Sequence, residues 1–400
     1  MSEVAQAPQL RFPEFNVSWN EYKLGSITDV VDSLHTTPKD YVSSGFPMIR
    51  VVDVNNIELD LNKCLNVSEE TYRQFTKKYQ PKVGDVVLSR VGTCGASIML
   101  RTKDNVCLGQ NTVLLHPKIN KDFYHILVKS NIFQVQVSRR VVGSTQKTLS
   151  LKDLKLFKLN IPAKPEQQKI AAFLTAVDTK IEQLSKKQAL FSEYKKGLMQ
   201  QIFSQAIRFK ADDTPGQPLL PNGNSPSGSD FPNWEEKRLG DLCEITTGKL
   251  DANAMVEGGQ YRFYTCAKEY YKIDDYAFDT DALIVSGNGA NVGYIHHYQG
   301  KFNAYQRTYV LDSFTDNIIF VKFVLDEYLH KRIMKEKNEG NTPYIVMGTL
   351  TDMKINLPSF SEQTKIAIFL SSIDSKIEQV GKQLDESKQF KKALLQQMFV

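Results

Sequence analysis

The chain repeats its own sequence once. Residues 160–203, beginning NIPAKPEQQKIAAFL, and residues 356–399, beginning NLPSFSEQTKIAIFL, align without a gap, and 21 of 44 positions are identical. The repeat also reaches the start of each half. Phe12-Pro13, Trp19 and Leu24-Gly25 return as Phe231-Pro232, Trp234 and Leu239-Gly240, and these are the only two tryptophans. The middles are looser. Gly84 to Gly92 corresponds to Thr280 to Gly289, and Gln110-Asn111-Thr112 to Gln306-Arg307-Thr308, with little likeness between these anchors. A chain with like ends and unlike centres builds one frame twice around two different inserts.

The length of 400 residues fits two or three domains. We divide it into a first globular domain at 1–162, a helical segment at 163–208, a linker at 209–228, a second globular domain at 229–358 and a second helical segment at 359–400. The linker rests on composition: Ala211 to Asp230 is rich in Pro, Gly and Ser and short of large apolar residues.

The repeated segments carry a seven-residue apolar period. Ile170, Val177, Leu184, Phe191 and Leu198 mark one register of the first copy, with Leu174, Ile181 and Ile202 beside them and Gln188 and Lys195 as interruptions. In the second copy Ile366, Ile373, Val380 and Leu394 pair with Leu370, Ile377, Leu384 and Met398, interrupted by Ser387 and Lys391. A 3.5-residue period is a coiled-coil seam. Each helix of about 40 residues would be roughly 60 Å long. Two copies in one chain pair most simply with each other, antiparallel. Ordinary bundle helices, or dimerisation of separate chains, is the plainer reading. The fold class is therefore α+β: two globular mixed α/β domains, two long antiparallel coiled-coil helices and a pseudo-twofold internal repeat.

Short apolar runs such as Val86–Ser89, Thr112–His116, Ala282–Ser286 and Thr308–Asp312 read as strands in the two centres. Glycine-rich turns follow the first strand of each, Ser89 to Gly95 and Ser286 to Gly293. They carry Arg90 and Thr93 in one half and Asn288 and Asn291 in the other. Arg suits guanine O6 and N7, while Asn and Gln suit adenine N6 and N7. The next shared loop adds Gln110 and Asn111, or Gln306 and Arg307. Thr342 and Tyr344 are further candidate DNA contacts. Arg139, Arg140 and Lys147 are candidate phosphate contacts. Solvated turn tips and a solvated helix face are the competing readings of these residues.

Other chemistry finds less support. The net charge of +5 permits a polyanion partner without demanding one. Five cysteines with no CxxC spacing argue against a zinc site or a disulfide framework and fit a reducing cytoplasm. We expect no signal peptide, no membrane span and no metal site. Asn341-Thr342-Pro343-Tyr344 resembles the Asn-Pro-Pro-Tyr site of amino-methyltransferases, but no matching cofactor loop accompanies it. Gly287-Asn288-Gly289 is followed by strand-like Tyr294–Tyr298 instead of a phosphate-binding helix, and no GxxxxGK[ST] loop occurs. No catalytic residue is assigned.

Taken in order, the motifs resemble the type I restriction-modification specificity subunit. Phe-Pro…Trp…Leu-Gly opens both halves, and Gly84-Asp85 leads to Ser89-Arg90 and Gly92. Pro162, Glu166, Gln167, Lys169, Ile170, Ala171, Phe173 and Leu174 recur as Pro358, Glu362, Gln363, Lys365, Ile366, Ala367, Phe369 and Leu370. The second half departs by lacking an Arg after Ser286. The resemblance implies two target-recognition domains, each reading half of a bipartite site on double-stranded DNA, and helices that fix the unread spacer. It implies two adenine methyltransferase subunits on the helical regions, and we assign Glu166, Gln167, Lys169, Phe173, Glu362, Gln363, Lys365 and Phe369 to that docking. Restriction subunits join separately. The chain itself would bind no cofactor: S-adenosylmethionine belongs to the methyltransferase, ATP and Mg to the restriction partner. Two rival functions remain at this point, a stand-alone adenine DNA methyltransferase and a coiled-coil adaptor that binds no DNA.

Overall fold

The computed structural model describes residues 7–54, 59–141, 147–210, 231–336 and 343–400. The expected linker therefore lies almost wholly outside the described residues, as does Thr342. The chain forms two compact units, residues 1–185 with 382–400, and residues 186–381.

In unit 1 the strands, numbered in chain order, are β1 (Asn20–Lys23), β2 (Thr28–Asp32), β3 (Phe46–Ile49), β4 (Leu65–Val67), β5 (Val86–Ser89), β6 (Ser97–Met99), β7 (Cys107–Leu108), β8 (Thr112–Pro117) and β9 (Lys158–Ile161). They make an antiparallel sheet in the order β2-β8-β5-β6, a smaller sheet β4-β3-β7, and the pair β1-β9. Helices α1 (Leu24–Ile27), α2 (Val51–Val54), α3 (Glu69–Phe75), α4 (Lys121–Lys129), α5 (Asn131–Arg140) and α6 (Leu151–Lys155) precede the long α7 (Lys164–Phe203). β5 is buried on both faces, so it reads as a continuous apolar run with no alternation. Val86 and Leu88 face a core shared with α4, α5 and the long-helix segments, and Val87 faces a second cluster with Ile49, Ile98 and Leu114.

Unit 2 holds β10 (Glu235–Arg238), β11 (Glu244–Thr247), β12 (Tyr261–Tyr264), β13 (Tyr271–Ile273), β14 (Phe278–Ser286), β15 (Ile295–Ala304), β16 (Thr308–Asp312) and β17 (Lys354–Leu357). One six-stranded sheet runs β11-β16-β14-β15-β12-β13, with only β12 and β15 parallel, and β10 pairs with β17. Helices α8 (Ile318–Glu336), α9 (Met347–Thr351) and α10 (Phe360–Gln397) complete it. Leu283 and Val285 of β14 pack toward α8 and the long helices, while Ala282 and Ile284 join Tyr264 and Phe302 on the opposite face.

The seam positions of α7 and α10 are all buried or half-buried, including the polar interruptions. The compact units cut through both helices, whereas the domain plan drawn from sequence cut at their starts. The reason is that each helix ends in the core of the other repeat's unit. Leu198, Ile202 and Phe203 of α7 pack with Phe320 and Leu370 in unit 2, and Leu394, Met398 and Phe399 of α10 pack with Trp19 and Phe123 in unit 1. Within unit 2 the two helix segments run in opposite directions. Gln188 lies beside Gly381, Lys195 Nζ bonds Asp374 Oδ1 at 2.6 Å, and Phe209 just beyond α7 meets Phe369. Unit 1 has the corresponding ion pair, Lys391 to Asp178 at 2.5 Å. No helix among the described residues is long and apolar enough to cross a membrane.

Candidate nucleic-acid interface

Three loops meet at one rim in unit 1. Arg90 N donates to Asn111 O at 3.0 Å, Leu149 N to Arg90 O at 2.9 Å, and Gly92 N to Lys147 O at 3.2 Å. Val91 and Thr148 form an isolated bridge. The turn needs its glycines, since Gly92 and Gly95 have φ of 74° and 89°, a region costly for residues with a Cβ. Cys94 ties the loops further, with its Sγ 2.9 Å from Arg90 O and 3.3 Å from Lys147 O. Burial raises its pKa, which keeps the thiol protonated as a donor.

The same arrangement recurs in unit 2. Gly287 N donates to Arg307 O at 2.9 Å and Ile345 N to Gly287 O at 2.8 Å. Asn288 and Tyr344 form the matching bridge. Gly289 and Gly293 have φ of 78° and 81°. Tyr309 Oη donates to Ile345 O at 2.8 Å and fastens the third loop to the sheet. The sequence identified the first two loops of each rim. The third, carrying Lys147 or Tyr344, is brought there by long-range pairing.

Placement separates the candidates. Thr93 and Lys147 are exposed at the first rim, with Gln110 and Asn111 half-buried beside them. Asn111 has φ of 68°. Arg90 is not presented as a free base-reading group: its Nη1 lies 2.9 Å from both carboxylate oxygens of Asp32, and its side chain is 12% exposed. Asp32 was missed because an ion pair between residues 58 apart leaves no local pattern. In unit 2 Gln306, Arg307 and Tyr344 are exposed. Gln306 Nε2 donates to Asp251 Oδ1 at 3.0 Å. Asn291 holds its own loop, donating to Cys266 O at 3.1 Å. Arg139 and Arg140 end α5, where Arg140 lies over the Phe157 ring at 5.0 Å. α5 touches the Ser89–Gly95 turn through Gln134, whose Nε2 donates to Gly95 O at 3.0 Å.

Most of the repeated Glu-Gln motif is internal, which corrects the assignment of Glu166, Gln167, Glu362, Gln363, Lys365 and Phe369 to partner docking. Glu166 is buried and takes a two-pronged contact from Arg11, and Glu362 takes the same from Arg208 with Trp234 Nε1 at 3.2 Å. Gln167 Oε1 accepts Asn120 N at 3.1 Å while Asn120 caps α4; Gln363 Oε1 accepts Asn317 N at 2.9 Å while Asn317 caps α8. Lys365 donates to Lys210 O at 2.9 Å and lies over Phe231, and Phe369 is buried against Phe209. Only Lys169 is exposed and Phe173 half-buried. Both meet Phe12, which does alone in unit 1 what Phe209 and Phe231 share in unit 2. The motif builds the joint between each long helix and its globular part.

Among the described residues no group of His, Cys, Asp or Glu could hold a metal ion. His296 and His297, adjacent on β15, engage separate partners, Ala267 O and Asp281.

A profile of the type I restriction modification DNA specificity domain matches residues 16–190 and 232–386. The EcoDI type I restriction enzyme specificity subunit of Escherichia coli is 41% identical over 167 residues, 40% of this chain and 37% of that protein. The MjaIX specificity subunit of Methanocaldococcus jannaschii is 22% identical over 404 residues, covering 94% of this chain and 91% of that one. A crystal structure of a type I S subunit from M. genitalium shares the fold, with a TM-score of 0.66, 18% identity and 99% coverage of both chains. Neither a stand-alone methyltransferase nor an adaptor without DNA finds support among these matches. The chain thus belongs to the type I restriction-modification DNA specificity family, whose members recognise DNA as non-catalytic subunits.

Proposed function

We propose that this chain reads a two-part DNA site, one half through the loop rim of unit 1 and the other through that of unit 2. The observation that carries this is one backbone arrangement built twice with different side chains: Asn111 and Lys147 on the first rim, Arg307 and Tyr344 on the second. Equal frames with unlike reading surfaces suit two unlike sequences. Lys147, with Arg139, serves phosphates; Gln110, Asn111, Gln306 and Arg307 serve base edges.

The chain performs no chemistry in this reading. Two adenine methyltransferase subunits, acting in the cytoplasm with S-adenosylmethionine, flip and methylate the target bases. An ATP- and Mg-dependent restriction subunit joins for cleavage. Docking falls to the exposed helix faces instead of the sealed motif. Tyr194 on α7 and Phe390 on α10 hold equivalent places in the repeat and are 51% and 54% exposed, so each offers one aromatic anchor to one copy of the same partner. The length of the helices sets the unread spacer.

Selection of bound sequences from random DNA, using the chain with a methyltransferase subunit, tests the reading. Arg307→Ala should relax one half-site and Asn111→Ala the other, each leaving its opposite intact. Both changes acting on the same half-site, or on neither, would contradict it.

A further inference from the structure

The two units differ sharply in charge: unit 1 carries 28 Lys and Arg against 20 Asp and Glu, and unit 2 carries 22 against 25. Much of the excess lies in one place. Residues 73–82, RQFTKKYQPK, contain four cations and no carboxylate. Arg73 pairs with Glu69. Lys77, Lys78 and Lys82 are exposed and meet no carboxylate among the described residues.

This segment is held firmly. Asp85, fully buried, accepts Lys82 N at 2.8 Å and lies 2.6 Å from His116 Nδ1. Tyr79 Oη lies 2.9 Å from the same nitrogen, and Lys82 stacks over the Tyr79 ring at 5.5 Å. Burial raises the Tyr79 pKa, so the hydroxyl stays neutral. Two neighbouring cavities, of about 170 and about 490 Å³, share Thr76, Lys77, Lys78 and Tyr79. The smaller is also lined by Asp32, the carboxylate that holds Arg90. The basic shelf is thereby continuous with the first reader rim. Among the described residues unit 2 has no equivalent at the corresponding place: Asp281, the counterpart of Asp85, meets His297, and residues 268–279 carry more acids than bases.

We infer that the 73–82 shelf seats the phosphate backbone of DNA beside the first half-site, and that unit 1 supplies most of the salt-dependent affinity of the chain. This rests on the DNA-reading function proposed above. Exposed lysines that pair with no carboxylate among the described residues release counterions when phosphates dock, without selecting a sequence. The shelf adds affinity next to the readers and leaves the choice of bases to them.

The test compares Lys77→Ala/Lys78→Ala/Lys82→Ala with a charge-matched control in unit 2, Lys249→Ala/Lys268→Ala/Lys272→Ala. Both are purified as complexes with the methyltransferase subunit. Binding of a duplex carrying the full site is measured from low to high salt, with thermal melting as a check on folding. Each lost phosphate contact should flatten the slope of log affinity against log salt by about 0.9, so the shelf variant should lose about two to three in slope. It should bind weakly at low salt and keep its half-site sequence, and the control should change far less. Equal slopes for wild type and shelf variant would overturn the inference, as would an equal loss in the control. Normal DNA binding with lost assembly would assign the shelf to a protein partner and also overturn it. A wild-type complex that binds no DNA at all would refute the DNA-reading function itself.

Discussion

Glu362 is sealed from solvent beneath Arg208 and Trp234, and a buried ion pair is costly to break from one side. Glu362→Ala should destabilise unit 2 by about 3 kcal/mol, read as a lower urea midpoint. An unchanged midpoint would show that the joint contributes nothing. His125 gives unit 1 a pH dependence. Burial, and then the nearby charges of Lys129, Arg101 and Lys391, push its imidazole from 6.5 down to about 3. The unfolded chain therefore takes up a proton near 6.5 that the folded chain refuses until about 3. Stability present at neutral pH is lost as pH falls through that window, by up to about 1.4 kcal/mol per pH unit. In His125→Asn, unfolding free energy should depend less steeply on pH between 6 and 4; an unaltered slope would rule out this histidine as the source. At this scale the sequence revealed residue types but not partners. Arg90 read as a guanine-binding group until Asp32 was seen holding it, and the Glu-Gln motif read as a docking surface until Arg11 and Arg208 were seen on it.

Among the elements, the long helices were the most legible. Every heptad position read from sequence is buried or half-buried in α7 and α10. The polar interruptions were visible only as gaps. Lys195 and Lys391 are in fact partnered by Asp374 and Asp178, and such pairs span too much sequence to be inferred from one copy. Glycine is a poor helix former, and a Cβ at Gly197 in α7 would meet nothing within 4 Å. Gly197→Ala should therefore stabilise the chain by up to about 1 kcal/mol, raising the melting temperature. A drop would reveal a contact that the free helix face does not show. The strands around the two loop rims were less legible. β5 and β14 stood out as apolar runs, whereas β3, β7 and β12 are short pieces whose pairing depends on distant strands.

For the whole chain, the repeat announced the plan, and its divergent centres explain why reading specificity stayed out of reach. The two loop rims proposed to read DNA carry different side chains, and no residue-to-base code follows from them. The central claim is that this chain chooses which adenines its partners modify. Co-expression with a cognate methyltransferase subunit, followed by long-read mapping of adenine methylation, tests that most directly. The account predicts one split motif with a constant gap that vanishes when this chain is omitted. A complex that forms and binds S-adenosylmethionine yet leaves the DNA unmethylated would contradict it.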